Sequence, residues 1–368
     1  MQQTHTLSLP APPVHYRAPL HIGAVRLASR FTLAPLAGYT NYPFRRTVRE
    51  IGGAGLCTTD LVNARAILEG SKKTLELLAT GPDDRPLSVQ IFGASPQEMA
   101  GAAQWLENYG ATMVDINMGC PVRKVVRVGG GSAMMCDTTG TTVKLVQTVV
   151  EAVKIPVTVK MRLGWDDTNL SAPYFAREFE QIGVKALTIH GRTREQGFGG
   201  AVNRAGIRSV VEAVESIPIF GNGDVMSIAD AAEMIIDTGC HGIAIGRGAL
   251  ANPWMFRQLS QWVETGDPGP RATYEERLDV MSIHLRRLCD WRKNEQFGCV
   301  GFRKVAAWYA KALRMPKDVK HQLTMLSSLA DFDAITTRLR DQGPPQGWTD
   351  WDAHDAQIAV PIGPNAHW

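Results

Sequence analysis

The pentapeptide Asn117-Met118-Gly119-Cys120-Pro121 sets a single cysteine directly after an apolar run, Thr112 to Ile116, that reads as a buried strand. Gly119 and Pro121 fix a turn around the sulfur, Asn117 offers an amide beside it, and Arg123, Lys124 and Arg127 put positive charge in the same loop. A free cysteine is ordinarily a small buried hydrophobe. This turn and these neighbours aim the thiol at a ligand instead. A neutral thiol, with a reference pKa of about 8.5, still carries a proton that it can deliver at neutral pH. Other reactive side chains close short apolar runs in the same way: Gln90, then Lys160 with Arg162, His190 with Arg192, Asn222-Gly223-Asp224, and Gly246-Arg247-Gly248. One such residue is usually a satisfied rim group. Six or more at successive strand ends describe a site.

The elements that must position them are eight short runs rich in apolar and β-branched residues: Phe31–Leu36, Gly55–Asp60, Leu87–Phe92, Thr112–Met118, Pro156–Met161, Ala186–His190, Ile217–Gly221 and Gly242–Gly246. Segments of helical character separate them, among them Ser95–Asn108, Thr141–Val153, Pro173–Ile182, Ile228–Thr238 and Asn252–Glu264. Eight β/α units predict an α/β fold of the TIM (β/α)8 barrel type, whose chemistry lies at the carboxyl ends of the strands. A doubly wound sheet would want GxGxxG after the first strand, and Ala34-Pro35-Leu36-Ala37-Gly38 is not that. The turns at Gly223 and Gly246–Gly248 follow strands seven and eight, the habitual phosphate site of this fold, so a phosphorylated ligand is expected. Lys160, Gln90 and the small Ala37-Gly38 turn suit a flat ring better than a sugar, which favours FMN as the cofactor.

At 368 residues, 44% hydrophobic and 20% charged, the chain suits a large core plus a second domain. We expect residues 1–30 to form an extension with a short hairpin at the barrel floor, 31–264 the barrel, 272–342 a small helical domain after a Gly/Pro linker, and 343–368 an extended tail. Six cysteines without metal-type spacing predict reduced thiols, a cytoplasmic protein and no metal. No signal-like start and no membrane-length apolar stretch occur, and nothing demands more than a monomer. Residues 281–320 hold ten Lys/Arg against three Asp/Glu, +7 in a chain whose whole charge is +3. That segregation favours a polyanion partner over a merely solvated face.

Across about residues 31–315 the sequence resembles the tRNA-dihydrouridine synthases, flavoenzymes that reduce uridine in tRNA. Besides the Asn117–Pro121 loop, the likeness rests on Ala34–Gly38, Val89–Gly93, Val159–Arg162, Ile189–Thr193, Gly221–Asp224 and Ile245–Arg247, with Gly130–Met134 and Arg303-Lys304 to Trp308-Tyr309 resembling the bacterial B-type branch. The resemblance implies that Pro35, Leu36, Ala37, Gln90, Lys160, His190, Asn222, Gly223, Asp224, Gly246 and Arg247 hold FMN. By the same likeness NADPH reduces the flavin, hydride passes from N5 to C6 of the uracil, and Cys120 protonates C5. Asn117, Arg162 and Arg192 would hold the target base or its phosphate, and Lys124, Arg286, Arg287, Arg303 and Lys304 would contact tRNA.

Two departures stand out: Leu36 where the family commonly has Met, and Val202-Asn203-Arg204 where it usually has Ala-Asp-Trp. The first conserves volume. The second marks a loop that meets RNA or packs differently. Three other readings share parts of this pattern: an FMN barrel acting on a free pyrimidine or enone, a non-redox barrel acting on a sugar phosphate, and a non-catalytic RNA-binding barrel.

Overall fold

The computed structural model describes residues 9–348. Its centre is a ring of eight parallel strands: β1 (Phe31–Leu33), β2 (Leu56–Thr58), β3 (Leu87–Phe92), β4 (Met113–Met118), β5 (Val157–Arg162), β6 (Ala186–His190), β7 (Ile219–Asn222) and β8 (Gly242–Ile245). Neighbours pair in sequence order, and the ring closes where Ile243 and Ile245 of β8 face Phe31 and Leu33 of β1. A two-residue strand, Val62–Asn63, lies against the end of β3. This is a TIM barrel. Several strands begin or end beside a proline, because a residue without N–H cannot extend the ladder. β1 stops at Leu33, short of Pro35, while β5 and β7 start just after Pro156 and Pro218.

The alternation of side chains decides what the interior holds. Val89, Ile91, Val114, Ile116, Val159, Ile189 and Ile243 point outward and join the helices in the main apolar cluster. Facing inward instead are Thr32, Thr58, Ser88, Asp115, Thr158 and Thr188, around a small central space. Branched aliphatic layers usually fill such a barrel. Small hydroxyl residues leave room above them.

Helices cover the strands, each with a local start or stop signal. Ser95 accepts from the Glu98 N–H at the head of Pro96–Tyr109, and left-handed Gly110 ends it. The helix expected at 252–264 spans Met255–Thr265, and a separate short helix, Arg247–Ala251, precedes it and ends at Asn252, before Pro253. In the altered Val202-Asn203-Arg204 stretch Val202 and Arg204 are half-buried and Asn203 is exposed. Asn203 caps Arg204–Val211 through the Gly206 N–H (2.8 Å), and Arg204 pairs with Glu233 and Asp237.

Below the barrel, an antiparallel hairpin of Leu20–Ile22 and Val25–Leu27 brings Leu20, Ile22 and Leu27 against Leu56, Met113, Ala186 and Phe220. That closes the floor. Beyond Thr265 four helices, Tyr274–Arg292, Glu295–Ala312, Lys317–Thr324 and Leu329–Gln342, share a core including Leu278, Leu285, Phe302, Leu313 and Phe332. Each such fully buried side chain contributes about 1.5–3 kcal/mol. They dock on the barrel through Trp308, which joins the barrel's apolar cluster, through His284 stacked on Phe44 (5.3 Å), and through Arg287 with Glu50 and Arg292 with Glu76. Of the expected tail, Trp348 turns back to donate its indole N–H to the Ala312 carbonyl. Residues 349–368 lie outside the described residues. Among the described residues no helix is long and apolar enough to cross a membrane, and no His/Cys/Asp/Glu group could hold a metal ion.

Candidate active site

A cavity of about 1010 Å³, counting its open mouth, lies at the carboxyl ends of the strands. Pro35, Leu36, Ala37, Gln90, Asn117, Cys120, Lys160, Arg162, His190, Asn222, Gly223, Asp224, Gly246 and Arg247 all line it. Parallel register explains the convergence: Asn117 faces Lys160, Arg162 faces His190, and His190 faces Asn222 across adjacent strands.

A buried hydrogen-bonded chain runs up one wall. Asp115 accepts from Thr158 (2.6 Å) and from the Gln90 amide (2.6 Å), and Gln90 accepts from the Asn117 amide (2.7 Å). Asn117 in turn accepts from the Gly119 and Cys120 N–H groups (3.2 and 2.9 Å). The thiol loop is therefore fixed from below. Ser132 ties its other side, donating to the Cys120 carbonyl from both N–H and hydroxyl (3.1 Å each). Burial pushes the Cys120 thiol above its ordinary range, against the pull of the Val122 N–H, Arg162 and Lys160. It is a neutral S–H at pH 7.

On the neighbouring strand β5 the Lys160 ammonium donates to Asn222 (3.1 Å), whose amide donates to the Ala244 carbonyl. Burial and then Arg162 bring Lys160 down to about 8. Burial, with Arg162, Lys160, Arg192 and Arg247 around it, holds His190 well below its usual value, so its imidazole is neutral. Asp224 sits in the left-handed region at φ 52°, accepts from both Arg192 terminal nitrogens (3.0 and 2.5 Å) and pairs with Arg247 (3.1 Å).

Two expected base-holding arginines have other work. Arg162, only 2% exposed, donates to the carbonyls of Gly119 (2.8 Å), Thr193 (2.8 Å) and Gly197 (2.7 Å). It laces the thiol loop to the 193–200 loop. Arg192, also 2% exposed, donates to Gly199 and Gly200 as well as Asp224, so it stands behind the cavity wall. Of the expected tRNA contacts, Lys124 is exposed on the short helix after Cys120. Arg286 pairs with Asp333, Arg287 with Glu50, and Arg303 donates to the Leu326 and Met325 carbonyls. Lys304 reaches the barrel rim, its ammonium 4.8 Å from the Tyr39 ring centre.

Phe198 is the lining residue that strand-end reasoning passes over. It lies on the 193–200 loop with its ring between the guanidinium groups of Arg162 (5.4 Å) and Arg247 (5.6 Å). A lone aromatic flanked by Gly197, Gly199 and Gly200 was the available signal. Asp115 was equally visible, as an acid inside an apolar run.

Comparison with known proteins places this geometry. The dihydrouridine synthase family model matches residues 32–341. A "Probable tRNA-dihydrouridine synthase" of Rickettsia conorii is 40% identical over 80% of this chain and 88% of its own. A "tRNA-dihydrouridine synthase B" of Pseudomonas aeruginosa is 37% identical over 87% of this chain and 95% of its own. Among solved structures, histamine dehydrogenase from Rhizobium sp. 4-9 superposes with TM-score 0.52 at 13% identity, covering 74% of this chain and 51% of that one, a likeness of fold alone. By family match and by relatives spanning most of its length, the chain belongs to the dihydrouridine synthase family.

Proposed function

We propose that this chain reduces uridine in tRNA to 5,6-dihydrouridine, holding FMN in the cavity and taking the electrons from NADPH. One observation carries the reading: a protonated, loop-fixed thiol and a cavity lysine open into the same strand-end space, in a chain whose relatives bear that enzyme's name. The cavity residues fit the cofactor. Gly223 stands at φ 116° with Val202 and His190 where a side chain would go, and a side chain at Gly246 would press on Leu36 at 3.3 Å, so packing favours bare turns there, whose backbone N–H groups would be open to a phosphate. Arg247, fixed by Asp224, would face the phosphate. Asn222, Lys160 and Gln90 would face the ring; Asp115 takes only one of the Gln90 amide N–H bonds, leaving the other to meet a ring carbonyl.

Bound flavin supplies the hydride for the C5–C6 double bond of the uracil. Cys120 supplies the proton: its S–H bond breaks, a C–H bond forms at C5, and the thiolate is reprotonated from solvent. Lys160 stabilises negative charge on the ring side of the cavity. Arg162 keeps the thiol loop and the Phe198 loop at fixed separation. A base inside folded RNA reaches the cavity only after leaving its stack, at about a few kcal/mol. Phosphate contacts that hold the RNA fall to Lys124, to Lys304 at the rim, and to Lys311 and Lys320, which border a groove between the helices Glu295–Ala312 and Lys317–Thr324, while Arg286 and Arg287 mainly hold the protein together. We place the reaction in the cytoplasm and the enzyme as a monomer.

The test is direct. Protein purified with its bound cofactor, given NADPH and unmodified tRNA, should release FMN on denaturation and raise the dihydrouridine content of the digested RNA. Released FAD, or unchanged RNA, refutes the assignment.

A further inference from the structure

We propose that Phe297 is a stacking platform for an unpaired base of the RNA, beside the nucleotide turned into the cavity; the proposal rests on the RNA reading above. Phe297, Lys304 and Trp308 lie at i, i+7 and i+11 on the helix Glu295–Ala312, hence on one face. Trp308 buries that face against the barrel. One turn earlier Lys304 reaches the rim, its ammonium by the Tyr39 ring and so near Gly38 that a side chain on that glycine would collide with it. Two turns earlier still, about 10 Å along the axis at 1.5 Å per residue, the same face carries Phe297, 64% exposed. One continuous helix face therefore joins Phe297 to the rim that Lys304 reaches.

The surroundings select the occupant. Phe297 lies in a segment with ten cations and three acids, Lys304 follows it on the same helix face, and the carboxylate of Glu295 is taken by the Leu329 N–H. Val300 beside it is 45% exposed, which widens the apolar surface by one small side chain only. An exposed aromatic on the same helix face as Lys304, in a segment of net positive charge, suits a base whose phosphate meets that lysine. A second copy of this chain would bring the same +7 segment against itself.

The experiment uses the full chain with bound flavin and an unmodified tRNA transcript. Phe297→Ala should raise KM for tRNA roughly 5- to 150-fold, the span for one stacked base, with kcat at saturating RNA within about twofold. Phe297→Trp should restore KM, and its indole fluorescence should quench as tRNA binds. Phe297→Leu should stay as poor as Phe297→Ala, because an aliphatic side chain has no ring to stack. A KM within about twofold of wild type in Phe297→Ala, or full rescue by Leu, overturns the proposal. So does sedimentation as a dimer that Phe297→Ala dissociates. A wild-type protein that forms no dihydrouridine in any tRNA overturns the functional reading itself, and with it the role of Phe297.

Discussion

Replacing Cys120 by alanine would remove the proposed proton donor without loosening the loop that carries it. That loop hangs on backbone groups: Asn117 accepts from the Gly119 and Cys120 N–H groups, Ser132 donates to the Cys120 carbonyl, and Arg162 donates to the Gly119 carbonyl. The loss should therefore be chemical. A positioned general acid contributes about 10²- to 10⁴-fold, or about 2.7–5.4 kcal/mol at 1.36 kcal/mol per decade. The assay is single turnover: enzyme reduced anaerobically with NADPH is mixed with tRNA, and return of the oxidised flavin absorbance is followed beside dihydrouridine in the digest. Burial raises the thiol pKa, so the wild-type rate should stay flat through neutrality and fall only at a pH above the usual thiol range, where the acid is lost. Cys120→Ala should be slow at every pH and show no such fall. Transfer within about threefold of wild type would falsify the assignment of the proton to this sulfur. Equal slowing of reduction by NADPH would make the thiol a structural element.

Three other outcomes are expected. Flavin-free protein should grow more stable from about pH 8 to about 10.5, because Lys160 binds its proton more weakly folded than unfolded; urea unfolding should show this slope in wild type and a shallower one in Lys160→Met. Asp224→Asn keeps a residue that tolerates φ 52° but leaves Arg192 and Arg247 without their shared carboxylate, so unfolding free energy should fall by about 1–3 kcal/mol and FMN should dissociate faster; unchanged FMN affinity would detach Arg247 from the phosphate. Charge reversal at Lys311 or Lys320 should flatten the slope of log affinity against log salt by about 0.7–0.9 per lost phosphate contact, whereas Arg286→Ala should leave it unaltered because Asp333 already neutralises that arginine.

How much of this was readable beforehand depends on the range of the interaction. The eight strands were, since β-branched runs and the prolines bounding them act within a few residues. The strand-end polar groups were too, because parallel register turns a one-dimensional pattern into one ring of side chains. Partners distant in sequence were not. A count of cations over 281–320 could not reveal that Glu50, some 237 positions from Arg287, takes one of them. Nor could the motif at 189–193 show that Arg192 turns back to Asp224 and the Gly199 and Gly200 carbonyls. The 202–204 departure reads as a possible RNA loop until Asn203 is seen capping a helix.

The hairpin beneath the barrel has a kinetic corollary. With Leu20, Ile22 and Leu27 sealing the lower end, traffic to the cavity uses the upper opening alone among the described residues. In the proposed reaction dinucleotide and RNA would then take turns at one doorway. Double-reciprocal plots against either reactant should be parallel lines, and excess of each should inhibit by occupying the entrance in the other's half of the cycle. The cell's ratio of reductant to unmodified RNA, as well as their absolute supply, would then set how fast the enzyme runs.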